Sequence, residues 1–180
     1  MGLWRMPWHR SFGPIGIDLG AVRPRAMQVR VARDLPVRFA EADAEPSDDL
    51  LRRTTSLLAA MRRAGFAGRE VTVGLPASVA RMQVTRMAPL SDKDAADAVA
   101  WEASERLGIS HESIVAASVA TGAHAQAGDA REERILVGMD RREVDGALDA
   151  LLSAGYEPVL VEPRFASIAR ALSRRTRRDA

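Results

Sequence analysis

GPIGIDLGAVRPRAMQV, residues 13–29, is the stretch on which the reading of this chain turns. IGIDLG makes a short apolar strand, and Asp18 is held between Gly16 and Gly20 at its end. Beyond the turn, Ala26, Gln28 and Arg30 alternate with Met27, Val29 and Val31, the period of a half-buried strand. An acid framed by glycines at a strand end suits a tight turn around a phosphate. Bare glycine backbone lets N–H groups approach an anion, and a carboxylate suits a hard cation.

Working outward, LPVRFAEAD (35–43) is a candidate third strand. Ser47 is the expected N-cap of a helix from Asp48 to Ala64, with Leu50, Leu51, Thr54, Leu57, Leu58 and Met61 at helical spacing and Gly65 at the αL C-cap position. REVTVGLP (69–76) reads as a buried strand closed by Pro76, so the opening order is β-β-β-α-β. ARMQVTRMAPL (80–90) is another extended piece, with Met82, Val84 and Arg86 alternating against Arg81, Gln83, Thr85 and Met87. Ser91 and Asp94 form a capping-box-like start to a helix ending at Leu107 and Gly108, with a small-residue stripe of Ala95, Ala98, Val99, Ala103 and Leu107.

Two strands, ESIVAASVAT (112–121) and ERILVGMD (133–140), flank a polar loop, Gly122 to Glu133, expected to be mobile. Asp140 is the expected cap of a helix with Val144, Leu148, Leu151 and Leu152 facing inward, closed by Gly155. The strand YEPVLVEP (156–163) and a helix from Arg164 to about Arg175, through Phe165, Ile168, Ala169 and Leu172, complete the pattern.

Composition bounds the function. The chain has 180 residues, 47% of them apolar, enough to bury a real core. The formal charge of +2 is uneven, because Arg170, Arg174, Arg175, Arg177 and Arg178 crowd the last residues. That tail reads as a solvated end; nucleic-acid binding through it is disfavoured because no aromatics interleave with the arginines. Cysteine is absent, excluding disulfides, thiolate metal sites and a cysteine nucleophile and fitting a reducing cytosol. No apolar run reaches the ~20 residues of a membrane span. Residues 1–12 read as a flexible leader without a signal peptide, in which Trp4 and Trp8 lie among Arg5, His9 and Arg10, and Met6 stands where a myristoylation signal wants Ser or Thr.

The ordered pieces IGIDLG, VTVGLP, LSDKDAADAVAWEASERLGI, ILVGMDRREVDGALDALLSAGYEPVLVEP and FASIARAL resemble the type IV pilus assembly protein PilM family, actin-like ATPases of FtsA/PilM type. The resemblance covers about Gly13 to Leu172. It implies an α/β (α+β) fold: the first half of an actin-like, ribonuclease H-like ATPase domain with an inserted strand-helix-strand-strand subdomain of 1C type. The expected divisions are a leader at 1–12, the first part of subdomain 1A at 13–79, the insert at 80–162, and a returning helix with basic tail at 163–180. The implied setting is cytoplasmic, peripheral to the inner membrane of a bacterium. The implied partner is an inner-membrane pilus protein of PilN type, with self-association through the 1C-like region and membrane contact through the partner. A type II secretion platform is the alternative.

By position, Asp18 would be the magnesium-side acid of the family's first phosphate loop, acting through water, Gly20 its turn, and Arg25 the replacement for a family lysine. Ala21, Val22, Arg23 and Pro24 stand where the family carries small hydroxyl residues. No second glycine-acid loop follows before Ala180, so the expectation is a truncated interaction module without ATP turnover, with ATP and magnesium bound only if another chain completes the site. No catalytic residue is assigned. His9, His111 and His124 are far apart, Ser78 lacks a nucleophile-elbow glycine pattern, Asp48-Asp49 suits a helix N-terminus, and Glu132-Glu133 suits a solvated loop. Trp101 is expected to fill the core of the insert.

Overall fold

A computed structural model describes residues 12–20, 22–32, 35–89, 95–121 and 131–176. Its elements are β1 (Ile15–Asp18), β2 (Arg25–Ala32), β3 (Leu35–Asp43), α1 (Leu50–Ala64), β4 (Glu70–Leu75), β5 (Arg81–Met87), α2 (Ala95–Leu107), β6 (Ile114–Ala120), β7 (Glu132–Asp140), α3 (Arg141–Ser153), β8 (Glu157–Pro163) and α4 (Arg164–Thr176). The leader to Ser11, the capping pair Ser91 and Asp94, the loop 122–130, His9, His124, Arg177 and Arg178 lie outside the described residues.

Two sheets organise the chain. The larger has the order β3-β2-β1-β4-β8. β1, β2 and β3 are joined antiparallel, and β4 and β8 run parallel to β1. One face is apolar in register: Ile15, Ile17 and Leu19 sit beside Val71, Val73 and Leu75, all at most 3% exposed. Crossovers between parallel strands are right-handed, which puts α1 and α3 on this same face. They seal it with Leu57, Met61, Val144, Ala147 and Leu151. α4 lies on the opposite face, over β4 and β8.

The smaller sheet, β5-β7-β6, is antiparallel and covered on one face by α2 through Val99, Ala103 and Leu107. It leaves the first sheet after the Pro76 turn, where Val79 and Ala80 donate to the Pro76 carbonyl at 3.0 and 3.1 Å. It returns at Asp140, which closes β7 and caps α3 by accepting from the Arg142 N–H at 2.9 Å.

α3 packs on α1, and β8 pairs with β4, so both belong to the larger sheet; the separate unit is β5 to β7. Three expectations, the α1 cap, Trp101 and Leu152, change for physical reasons. Asp49, two residues after Ser47, caps α1 by accepting from the Arg52 N–H at 2.7 Å, while Ser47 accepts from the Asp49 N–H at 3.2 Å. On β5 the face toward α2 is Thr85 and Met87, leaving Met82 and Val84 at 50% and 54% exposure. Trp101, two residues from Val99 and so about 200° around the helix, is 58% exposed and stacks on His111 at 4.4 Å instead of entering the core. Leu152 likewise faces out.

Packing of α2 on the small sheet is tight at Gly138, where an added Cβ would meet Leu107 Cδ1 at 2.6 Å and Ile114 Cδ1 at 3.0 Å. Gly138→Ala is expected to destabilise by about 1–3 kcal/mol, with accelerated amide exchange in β6 and β7. Gly146, inside α3 with nothing within 4 Å of its Cβ position, is the control: Gly146→Ala should raise stability by about 0.5–1 kcal/mol in urea unfolding.

Candidate functional site

Because β1, β4 and β8 run parallel, their C-terminal ends form one rim, the edge where ligands of open α/β sheets gather. Pairing sets Arg25, Asp18, Gly74 and Glu162 in one row across β2, β1, β4 and β8. The chain leaves β8 at Pro163 and begins α4 at Arg164 without a linker, so the first residue of the helix meets the β1–β2 turn.

Asp18 is engaged twice. Its Oδ1 accepts a hydrogen bond from the Gly20 N–H at 2.9 Å, an Asx-type closure of the turn. Its Oδ2 lies 3.6 Å from Arg164 Nη1. Both partners are about half exposed, so the ion pair contributes at most about 1 kcal/mol. The geometry also explains Gly20. Among the described glycines the left-handed backbone belongs to Gly65, Gly68, Gly108 and Gly155; Gly20 does not share it. A Cβ on Gly20 would meet Arg164 Nη1 at 2.8 Å and Asp18 Oδ1 at 3.2 Å, so a side chain there would displace the Arg164 guanidinium from the turn.

The turn's other charges divide. Arg23 pairs with Asp43, Val22 is 87% exposed, and the Arg25 side chain is exposed with no hydrogen-bond or ion-pair partner among the described residues. The structure therefore brings Asp18, Gly20 and Arg25 to one place. A hydrated magnesium ion at Asp18 would share that carboxylate with a guanidinium 3.6 Å away, an arrangement that repels a divalent cation.

Two partners of the turn escape sequence reasoning. Arg53 is 2% exposed yet has no carboxylate. It donates from Nη1 to the Leu19 carbonyl at 2.6 Å and from Nη2 to the Asp48 carbonyl at 3.0 Å, while its Nε has no partner. A buried guanidinium held only by carbonyls is costly, and its effect is to pin the turn from below. The signal was a charge three residues after Leu50, on the stripe that should be apolar. Arg164 carried no signal beyond its position after Pro163.

At the far end of the row, Glu162 binds Arg170 through both carboxylate oxygens and accepts from Ser167. Burial alone would raise its pKa; the hydrogen bonds from Arg170 and Ser167 and the charge of Arg170 outweigh that and hold it below the ordinary value of 4.5. The same contact raises Arg170. The remaining sequence candidates stand apart from this row. His111 stacks on Trp101, Asp49 caps α1, Glu132 pairs with Arg134 at 2.9 Å, and Glu133 accepts from Thr121 at 3.0 Å.

No family model and no curated protein matches the sequence. Among solved structures, the chain is similar to the "PilM-PilN type IV pilus biogenesis complex", with a TM-score of 0.64, 20% identity, and coverage of 83% of this chain and 47% of that one. It is also similar to the cytoplasmic domain of EpsL, an inner membrane component of the type II secretion system of Vibrio cholerae, with a TM-score of 0.57, 16% identity, and coverage of 85% and 57%. The chain thus spans about half the length of the chains it matches. At these identities the likeness shows the fold, which is the actin-like one. Among the described residues no helix is long and apolar enough to cross a membrane.

Because Glu162 has a depressed folded-state pKa, its stabilisation is present above the unfolded-state value of 4.5 and is lost as pH falls through the lower folded value. The urea midpoint is expected to decline as pH falls below about 4.5, and Glu162→Gln should flatten part of that slope while costing about 1–2 kcal/mol at neutral pH.

Proposed function

We propose that this chain is a component of an inner-membrane assembly platform of the type IV pilus, acting by binding a membrane-anchored partner of PilN type. It would stand on the cytoplasmic side, held to the membrane through that partner. Support comes from the fold shared over 83% of the chain with the PilM-PilN type IV pilus biogenesis complex. The reading includes an absence of ATP turnover: the acid that would serve magnesium is taken by Arg164 and the Gly20 N–H. In this role the Asp18–Arg164 contact ties the β1–β2 turn to α4 and stiffens the rim as a scaffold. Self-association through the β5–β7 unit would be a further contact of the same platform.

A type II secretion platform is the second reading, supported by the likeness to the EpsL cytoplasmic domain over 85% of the chain. Crosslinking of the tagged chain in its native cells, followed by mass spectrometry, separates the two. Enrichment of pilus membrane proteins over a tag-only control is the expected result, and enrichment of secretion-system proteins would establish the second reading instead. Recovery of chaperones or nucleic acid alone would contradict both.

A further inference from the structure

A sheet built around parallel strands is ordinarily covered on both faces. Among the described residues, the face opposite α1 and α3 is covered by α4 over β4 and β8, and it is open over β1, β2 and β3. The opening is a trough of about 570 Å³. Its floor is low because Gly16 and Gly74 carry no side chain. One bank is Met27, 49% exposed, and the other is Ile168 of α4, 53% exposed. Beyond Met27 the same face continues through Val29 to Phe39, whose ring lies 4.6 Å from that of Phe12.

We propose that this trough is the docking site for one amphipathic helix of a partner protein, with an apolar stripe toward Gly16 and Met27 and an acidic side chain toward Arg25. The inference rests on the protein-binding role proposed above and names the surface and the partner's chemistry. Width sets the first half. Three strands about 4.8 Å apart leave a strip of about 14 Å, which takes one helix about 10–12 Å across, side by side with α4. Charge sets the second half. Of the charged side chains lining the trough, Asp18 meets Arg164, Glu41 meets Arg38, and Glu162 meets Arg170; the Arg25 side chain alone is left without a partner among the described residues. A cation at the edge of an apolar trough whose carboxylates are already neutralised selects an acidic group on the occupant.

Gly16 gives a clean handle. Its backbone is not left-handed, and an added Cβ would rest 3.6 Å from the Met27 carbonyl and 4.0 Å from Thr72 Oγ1, ordinary contact distances. Gly16→Leu therefore places a side chain on the trough floor without forcing the backbone. The probes are two fluorescein-labelled helical peptides of about 18 residues with identical leucine stripes, one flanked by glutamates and one by lysines, followed by fluorescence anisotropy. The glutamate peptide is expected to bind the native chain at least ~10-fold more tightly, Gly16→Leu to weaken it at least ~10-fold, and Arg25→Glu to reverse the preference. Equal binding of the two peptides, or no effect of Gly16→Leu in a variant with native circular dichroism, overturns the proposal. So does a dimer in sedimentation that Gly16→Leu dissociates, since the occupant would then be a second copy. Crosslinks to platform proteins that persist in Gly16→Leu, with no peptide binding, would sink the trough and leave the platform role standing. Peptide binding without such crosslinks would do the reverse.

Discussion

The parallel pairing of β8 with β4 is the constraint on which the rest of this structure depends. β4 is the most deeply enclosed strand of the larger sheet, with Val71, Val73 and Leu75 at 0–1% exposure between β1 and β8. Those side chains are sheltered only if the chain, after 81 residues in which it builds a second sheet, comes back to lie alongside. The small sheet is accordingly self-contained, entered at a proline turn and left at a residue that both ends β7 and caps α3. Parallel strands also need a crossover, and α3 provides it on the face α1 already occupies.

The same return fixes the chemistry of the rim. Since α4 starts immediately after β8, its first side chain falls on the β1–β2 turn, directly above Gly20. A turn that could cradle an anion is held from above by Arg164, from below by Arg53, and internally by the Gly20 N–H. None of these contacts is strong alone. Together they satisfy Asp18 and the Leu19 carbonyl within the chain, which favours a rigid scaffold over a loop that must reorganise around a phosphate.

Local rules carried much of the fold in the sequence. Alternation marked β2, and left-handed glycines marked the end of α1 at Gly65 and the turn at Gly155. Asp140 announced α3. What sequence could not give was which face of a strand or helix meets a neighbour. Met82 and Val84 are as apolar as buried strand residues, yet α2 sits on the other side; Trp101 faces away from the sheet because Val99, Ala103 and Leu107 already cover it. At the candidate site, Asp18, Gly20 and Arg25 were visible because they are adjacent in sequence. Arg164 lies 146 positions beyond Asp18, and only the sheet order brings the two together.

The β1–β2 turn is occupied by the chain's own groups. Nuclear magnetic resonance of ¹⁵N-labelled protein titrated with magnesium and ATP tests it most directly, through the backbone amides of Gly20 and Gly74. Both signals are expected to stay in place up to millimolar nucleotide, with the Gly20 amide protected from solvent exchange. Saturable shifts at both glycines would contradict it, because they would show the Asp18–Arg164 contact giving way to a bound phosphate.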